Sequence, residues 1–141
     1  MGREGACEIE VRVRYAETDR MGRAHHSHHL VWCEAARTAW LRRRGASYAD
    51  LEARGVYLPV SRVAVEYRCP VGYDDRVRIR AWLAAVRSRT LTFEYELERP
   101  ADGREVARAR TDLICMDGEG GVRRLPEEIR NWSDGSPGAT A

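Results

Sequence analysis

Residues 8–45 read EIEVRVRYAETDRMGRAHHSHHLVWCEAARTAWLRRRG, and this stretch decides the fold. Its first part, residues 8–15, alternates polar and apolar side chains. The apolar members share one face: Ile9, Val11, Val13 and Tyr15. Alternation with period two and β-branched residues predicts a half-buried strand. Residues 16–22 are polar and end in a glycine, so we expect a loop after the strand.

The longest helical pattern covers residues 28–44. Ser27 can cap its N-terminus, and Gly45 stands where a C-terminal residue with positive φ is common. An apolar stripe at helical spacing is predicted to face the core. Its members are Leu30, Val31, Ala35, Thr38 and Leu41. A second, short helix is predicted over residues 47–54, between a serine cap and a terminating glycine.

The rest of the chain is rich in strand patterns. The alternating segments, each bounded by turn residues, are 58–69, 76–87, 90–99 and 104–116. A short helical turn is predicted over residues 126–132, which begin with proline. Residues 1–132 are predicted to form one domain, and residues 133–141, rich in Gly, Ser, Pro and Ala, are expected to be disordered.

The order of these elements is strand, long helix, then four strands joined by turns. It favours an α+β fold in which one antiparallel five-stranded sheet wraps around one long central helix. Such a sheet leaves an edge strand that needs cover. We therefore expect two copies of the chain to form a dimer that extends the sheet.

Composition narrows the class of protein. The chain has 141 residues, and its 24 basic residues are all arginine, against 22 acidic residues. A net charge of +2 without a long basic run does not favour a nucleic-acid partner. No apolar run is long enough to span a bilayer, no secretory signal is evident, and the four cysteines form no CxxC pair. These features predict a reduced, cytoplasmic protein with no membrane partner.

The chemistry of the sequence concentrates between the first strand and the long helix. Asp19 lies in the polar loop, and His25, His26, His28 and His29 surround Ser27 at the start of the helix. Free N–H groups at a helix N-terminus stabilise an oxyanion, and a nearby carboxylate can act as a nucleophile or general base. An aspartate before a helix is also typical of a turn or cap, and the pattern alone leaves both roles open.

Other chemistries fit less well. His25 and His29 are four residues apart, as zinc ligands can be, but the HExxH pattern is absent and no metal site is predicted. Ser27 lacks the GxSxG elbow of serine hydrolases, and the cysteines have no evident base. Glu34 and Arg37 have the spacing of an ion pair within one helix.

The pattern VRYAETDRMG over residues 13–22, continued by His26-Ser27 and EAART over 34–38, resembles the 4-hydroxybenzoyl-CoA thioesterase family. It is most similar to short bacterial acyl-CoA thioesterases associated with the Tol-Pal system. The resemblance covers residues 8–132, and its specific signature covers 13–45. It implies a hotdog fold, a homodimer or homotetramer with active sites at the subunit interface, and no metal or cofactor.

The resemblance also implies roles for individual residues. Asp19 matches the catalytic aspartate, which attacks the thioester or activates water. Gly22 matches the glycine that turns the loop into the helix. His26 matches the position whose backbone N–H polarises the thioester oxygen. The remaining residues expected to contact substrate are Ser27 and three histidines that depart from the usual pattern, namely His25, His28 and His29.

The function implied is hydrolysis of an acyl-CoA to a carboxylic acid and free CoA. CoA phosphates would need arginines, because the chain has no lysine. The candidates at turns and on the surface are Arg62, Arg87 and Arg89. Two alternatives remain open: a non-catalytic acyl-CoA-binding hotdog module, and a hotdog hydratase or dehydratase.

Overall fold

Five strands form one antiparallel sheet in the computed structural model, which describes residues 5–132. The strands are β1 (Cys7–Arg12), β2 (Val60–Tyr67), β3 (Arg76–Val86), β4 (Thr90–Arg99) and β5 (Arg104–Ile114). Their order across the sheet is β1-β3-β4-β5-β2. Each strand lies within a segment predicted to alternate, except that β1 begins one residue earlier. The tail expected to be disordered, 133–141, lies outside the described residues.

Three helices accompany the sheet, and the long one packs across it. They are α1 (His28–Arg43), α2 (Tyr48–Ala53) and α3 (Glu127–Arg130). Helix α1 contacts β1 and β3, and Trp40 on α1 packs edge to face on Phe93 of β4. The predicted α+β architecture is confirmed. No helix within residues 5–132 is long and apolar enough to cross a membrane.

The apolar stripe predicted for α1 is wrong in part: only Leu41 is fully buried, and Leu30 and Thr38 are half-buried. Val31 is 54% exposed, and Ala35 also faces outward. The buried face consists of His29, Trp32, Cys33, Ala36, Arg37, Trp40 and Leu41. Two tryptophans set the rotation of the helix because they have the largest apolar surface to bury. Small and polar residues that share this helical face with the two tryptophans are therefore buried as well.

The inner face of the sheet agrees with the sequence. In β3 the residues that point to the core are Val77, Ile79 and Ala81, and in β4 they are Leu91, Phe93, Tyr95 and Leu97. The outer face carries charged ladders, such as Arg80 between Glu8 and Glu96. Alternation therefore identifies the buried face of the central strands.

The predicted first strand is too long at its C-terminal end. β1 ends at Arg12, although Val13 still exchanges backbone hydrogen bonds with the turn at Asp74 and Asp75. The chain then forms a 3-10 turn over Tyr15–Glu17, which leaves Tyr15 78% exposed instead of on the buried face. This turn directs the following loop toward the N-terminus of α1.

Strand β2 forms one edge of the sheet. It pairs only with β5, and its free edge carries no strand among the described residues. Val60, Val63 and Tyr67 on this strand are all exposed. The sheet has a second edge at β1, but the three exposed apolar side chains make β2 the better candidate for the edge that needs cover.

Two buried polar residues on α1 differ from expectation. Arg37 does not pair with Glu34, which is exposed; its guanidinium donates to the hydroxyl groups of Tyr48 and Tyr95. The pair was expected from spacing alone, whereas the observed rotation of α1 turns Arg37 inward and leaves Glu34 on the surface. His29 is buried against Trp32, and burial lowers the pKa of its imidazole.

The buried imidazole makes stability depend on pH. Because the pKa of His29 is lower in the folded chain than in the unfolded chain, the unfolded chain binds more protons as pH falls below about 6.5. We expect the free energy of unfolding to decrease as pH falls from 7.5 to about 5.5, and His29→Gln to lose part of this slope. Urea titrations across that range measure it.

Cys33→Ala is the matched control, since it disturbs the same buried face without removing a group that titrates in this range. It should lower stability by a constant amount and keep the wild-type slope. Equal slopes in wild type and His29→Gln would show that His29 makes no contribution.

Candidate active site

Asp19 lies at the start of a tight hairpin between the 3-10 turn and α1. An antiparallel bridge joins Thr18 to Ala24, and the backbone N–H of Asp19 donates to the carbonyl of Arg23 at 2.8 Å. The hairpin folds back on itself at Gly22, whose N–H donates to the Asp19 carbonyl at 2.9 Å. The loop that carries Asp19 is therefore an ordered turn bonded to the segment that begins α1.

The side chain of Asp19 is half-buried and is oriented by its own turn. Its Oδ1 accepts hydrogen bonds from the backbone N–H of Met21 at 2.9 Å and of Arg23 at 3.4 Å. Its Oδ2 has no hydrogen-bond partner among residues 5–132. One oxygen therefore fixes the carboxylate, and the other remains available to a substrate or a water molecule.

Two glycines allow the hairpin to pack closely on the next loop. Gly22 has a φ of +77°, a region that side chains rarely adopt. A Cβ at Gly72 would lie 3.1 Å from the Gly22 carbonyl oxygen, closer than ordinary contact. Arg23 forms a bridge with Gly72 at this point. In the structure Gly22 thus shapes the turn that holds Asp19.

Glu17 joins the 3-10 turn to α1. Its carboxylate is only 4% exposed and accepts from the backbone N–H of Arg14 at 2.8 Å and from the indole of Trp32 at 3.3 Å. Its backbone carbonyl accepts from His25 at 2.8 Å. Although burial opposes ionisation, these hydrogen bonds lower the pKa of Glu17. An ionised carboxylate therefore fixes the hairpin against the helix.

The N-terminus of α1 presents a free backbone donor. The N–H of His26 has no hydrogen-bond acceptor among the described residues, whereas its carbonyl accepts from the Tyr67 hydroxyl at 2.8 Å. Tyr67 lies at the end of the edge strand β2. A main-chain donor at a helix N-terminus is suited to stabilise negative charge.

Ser27 stands at the start of α1, as predicted, but its side chain does not cap the helix. Its backbone is already helical, so the hydroxyl points away from the N–H groups that a cap would bind. Instead, its Oγ lies 3.0 Å from the Nδ1 of His25, which also accepts from the Ser27 N–H at 3.3 Å.

The histidines occupy two environments. His25 and His26 are exposed, with ring centroids 4.1 Å apart, and His28 is half-buried beside them. His29 is enclosed, with its ring 4.9 Å from both Trp32 and Tyr67. The carbonyls of His25 and His26 partly offset the burial that lowers its pKa, yet Nδ1 has no well-formed hydrogen bond within residues 5–132.

Several alternative centres are not supported. Burial raises the pKa of Cys33 to about 12, so its thiol is protonated and a poor nucleophile. All four cysteines are free and buried. Across the described part of the chain, no three His, Cys, Asp or Glu side chains converge as metal ligands would.

The arginines suggested to bind the CoA phosphates do not lie near Asp19 of the same chain. Arg87 and Arg89 follow the C-terminal end of β3, whereas the Gly72 loop precedes its N-terminal end, and the strand is roughly 33 Å long. Arg62 is on the exposed strand β2. Arg20 and Arg23, which sequence reasoning passed over, are exposed in the hairpin itself. Glu17 and Tyr67 were also not identified as site residues; both act through contacts distant in sequence.

A family model described as the thioesterase-like superfamily matches residues 13–133. YneP of Bacillus subtilis is 36% identical over 110 residues, covering 78% of this chain and 79% of that protein. The acyl-CoA thioester hydrolase YbgC of Escherichia coli is 31% identical over 107 residues, covering 76% of this chain and 79% of that protein.

Solved structures agree with the sequence relatives. A hypothetical protein from Thermus thermophilus superposes with a TM-score of 0.82 at 40% identity, covering 88% of this chain and 94% of that one. The DHNA-CoA thioesterase of Staphylococcus aureus gives a TM-score of 0.81 at 30% identity, with coverages of 85% and 80%. The chain has the hotdog fold and belongs to the thioesterase-like superfamily.

Proposed function

We propose that this protein is an acyl-CoA thioesterase, which converts an acyl-CoA and water to a carboxylic acid and free CoA. One observation carries the proposal. The free Oδ2 of Asp19 and the free N–H of His26 belong to one loop–helix unit that Glu17 holds together. A carboxylate and an oxyanion donor are the two groups that acyl transfer requires. The named activity of YbgC supports the same class of substrate.

Two mechanisms fit a free carboxylate oxygen. As a general base, Asp19 accepts a proton from water as the water oxygen attacks the thioester carbonyl. The tetrahedral intermediate then expels CoA as the thiolate, which recovers the proton from Asp19. As a nucleophile, Asp19 attacks the carbonyl itself, CoA leaves as the thiolate, and water hydrolyses the acyl-aspartyl anhydride. In both routes the negative oxygen of the tetrahedral intermediate accepts from the His26 N–H, and the helix dipole adds to its stabilisation.

The same proposal assigns roles to the other residues of the loop and helix. Gly22 shapes the turn, and His25, Ser27 and His28 line the approach to the reacting carbonyl. His29, which Trp32 and Tyr67 enclose, supports this lining from behind. The finer placement follows the signature over residues 13–45, which resembles the 4-hydroxybenzoyl-CoA thioesterase family. We propose that residues 1–132 act as one catalytic domain in the cytoplasm, and the reaction as written uses no metal or cofactor.

The exposed edge supports a homodimer as the working form. β2 offers unpaired backbone groups along one side, and Val60, Val63 and Tyr67 add apolar surface. Tyr67 also bonds the His26 carbonyl, so the edge strand borders the proposed site. Antiparallel pairing of β2 with its own copy would extend the sheet and enclose the two sites, and such dimers can pair further into tetramers.

Asp19→Asn tests the chemistry. Asparagine can still accept from the Met21 N–H through its carbonyl oxygen, so the turn is preserved while the negative charge is lost. We expect kcat for thiol release from an acyl-CoA to fall by about a hundredfold to ten-thousandfold, with little change in KM. Release is followed with a chromogenic thiol reagent.

Asp50→Asn, an equivalent change at an exposed position on α2, should retain wild-type rates. Unchanged thiol release in Asp19→Asn would contradict the mechanism. Binding of acyl-CoA with no thiol release in the wild type would indicate the non-catalytic module. Loss of enoyl thioester absorbance without thiol release would indicate a hydratase.

Val63→Asp tests the dimer. A carboxylate at the middle of β2 would face its own copy across an antiparallel pairing, and like charges there destabilise association. We expect the mass from light scattering to fall to that of one chain, with loss of thioesterase activity. Ala84→Asp, on the exposed side of β3, should leave mass and activity unchanged. An oligomer that survives Val63→Asp would rule out this edge as the interface.

A further inference from the structure

A second cleft, of about 700 Å³, lies farther along α1 from the proposed site. Its lining comes from α1, α2, the start of β2 and the loop after β5. The lining residues include Glu34, Arg37, Tyr48, Tyr57, Val60 and Met116. The mechanism proposed for Asp19 does not use these residues, although Glu34 and Arg37 belong to the signature over residues 34–38. The cleft is large enough to accept part of a small molecule.

Arg37 is the unusual member of this cleft. Its side chain is only 6% exposed, yet it has no carboxylate partner within residues 5–132. Its Nε donates to Tyr48 at 2.7 Å and its Nη1 to Tyr95 at 2.9 Å, whereas its Nη2 has no hydrogen bond to the described residues. A buried cation normally has an anionic partner, because burial without one is costly. The guanidinium therefore has spare donors and an unmet charge at the wall of the cleft.

The two tyrosines hold this cation in a fixed orientation. The Tyr95 hydroxyl is also 2.6 Å from the Oγ1 of Thr111, which completes a chain from β5 to α1. Burial alone would disfavour the charge, but the two tyrosine oxygens outweigh it and raise the pKa of Arg37. Because the Tyr48 oxygen accepts from Arg37, its own O–H is left to donate into the cleft. Both polar groups at this wall are therefore donors.

The carboxylates near the cleft do not neutralise Arg37. Glu34 and Glu52 are exposed, and Asp117 accepts backbone hydrogen bonds from Glu119 and Gly121 in its own loop. Exposed charges are screened by water and salt, whereas a buried charge is screened much less. The deep wall of the cleft is accordingly positive although its rim is acidic.

Strand β2 connects the cleft to the proposed active site. Its last residue, Tyr67, bonds the His26 carbonyl, and its first residue, Val60, lines the cleft. Along α1, Arg37 follows the first helical residue by nine positions, or about 14 Å. An acyl chain whose thioester lies beside Asp19 can therefore extend along α1 toward the cleft, where the long side chain of Arg37 meets its far end.

We propose that this cleft binds the distal end of the acyl chain and that Arg37, with Tyr48, selects acyl groups ending in a carboxylate. The substrates would be CoA monothioesters of medium-length dicarboxylic acids. A terminal carboxylate accepts from the free Nη2 of Arg37 and from the Tyr48 hydroxyl, and it supplies the missing negative charge. This inference rests on the proposed thioesterase activity and adds the specificity of the same site.

Two substrates of matched length test the inference, octanedioyl-CoA and octanoyl-CoA. We expect the wild type to have the higher kcat/KM for octanedioyl-CoA. Arg37→Met should lower kcat/KM for octanedioyl-CoA by about tenfold to a hundredfold more than for octanoyl-CoA, mainly through KM. Tyr48→Phe should reduce the preference in the same direction and by less, since the charge is retained.

Arg42→Met is the matched control, because it removes an exposed arginine from the same helix and should leave both rates unchanged. Equal losses on both substrates in Arg37→Met would show a structural role only. If Arg37→Met fails to fold, the wild-type comparison still decides, since a preference for octanoyl-CoA overturns the inference. Hydrolysis of octanoyl-CoA that depends on Asp19 would leave the thioesterase proposal intact in either case.

Discussion

The buried carboxylate of Glu17 is the contact on which the arrangement of the site depends. The carboxylate accepts hydrogen bonds from the backbone N–H of Arg14, at the start of the 3-10 turn, and from the indole of Trp32 on the inner face of α1. The backbone carbonyl of Glu17 accepts from the N–H of His25. These bonds come from three separate parts of the chain. Because the carboxylate is enclosed, each bond is stronger than it would be in water, and losing one partner would leave buried charge unsatisfied. The hairpin of Asp19 and the N-terminus of α1 are thereby kept in one relative position.

Other contacts hold α1 in place on the sheet and so support the contacts of Glu17. Trp40 and Phe93 fix the middle of α1 on the sheet, and Arg37 joins the helix to β4 and α2 through two tyrosine hydroxyls. The rigid sheet and helix therefore carry a short loop whose few polar groups remain free for chemistry. Unpaired polar groups in a folded protein are costly, and three of them here have proposed roles: the Oδ2 of Asp19, the N–H of His26 and the Nη2 of Arg37. The proposed acyl chain would run from the first two groups toward the third.

Much of this architecture could be predicted from sequence, and the failures have a common cause. Alternation identified the strands and their inner faces because a central strand with one buried face repeats every two residues. The loop containing Asp19 was found because polar residues, a glycine and a helix start coincide there. The stripe on α1 was wrong because the tryptophans, by size, set which face is buried. Arg37, Glu17 and Tyr67 were misjudged or missed, since their partners are set by tertiary contacts that local spacing does not encode.

The central claim is that Glu17 acts on catalysis by holding the Asp19 hairpin and the N-terminus of α1 in one relative position. A double-mutant cycle of Glu17→Gln and Asp19→Asn measures this directly through kcat for thiol release from one acyl-CoA. Glu17→Gln alone should lower the rate, because a neutral amide binds the Arg14 and Trp32 donors more weakly. In the background of Asp19→Asn, Glu17→Gln should therefore cause a smaller loss than it causes in the wild type. Fully additive losses, with both variants folded, would contradict it.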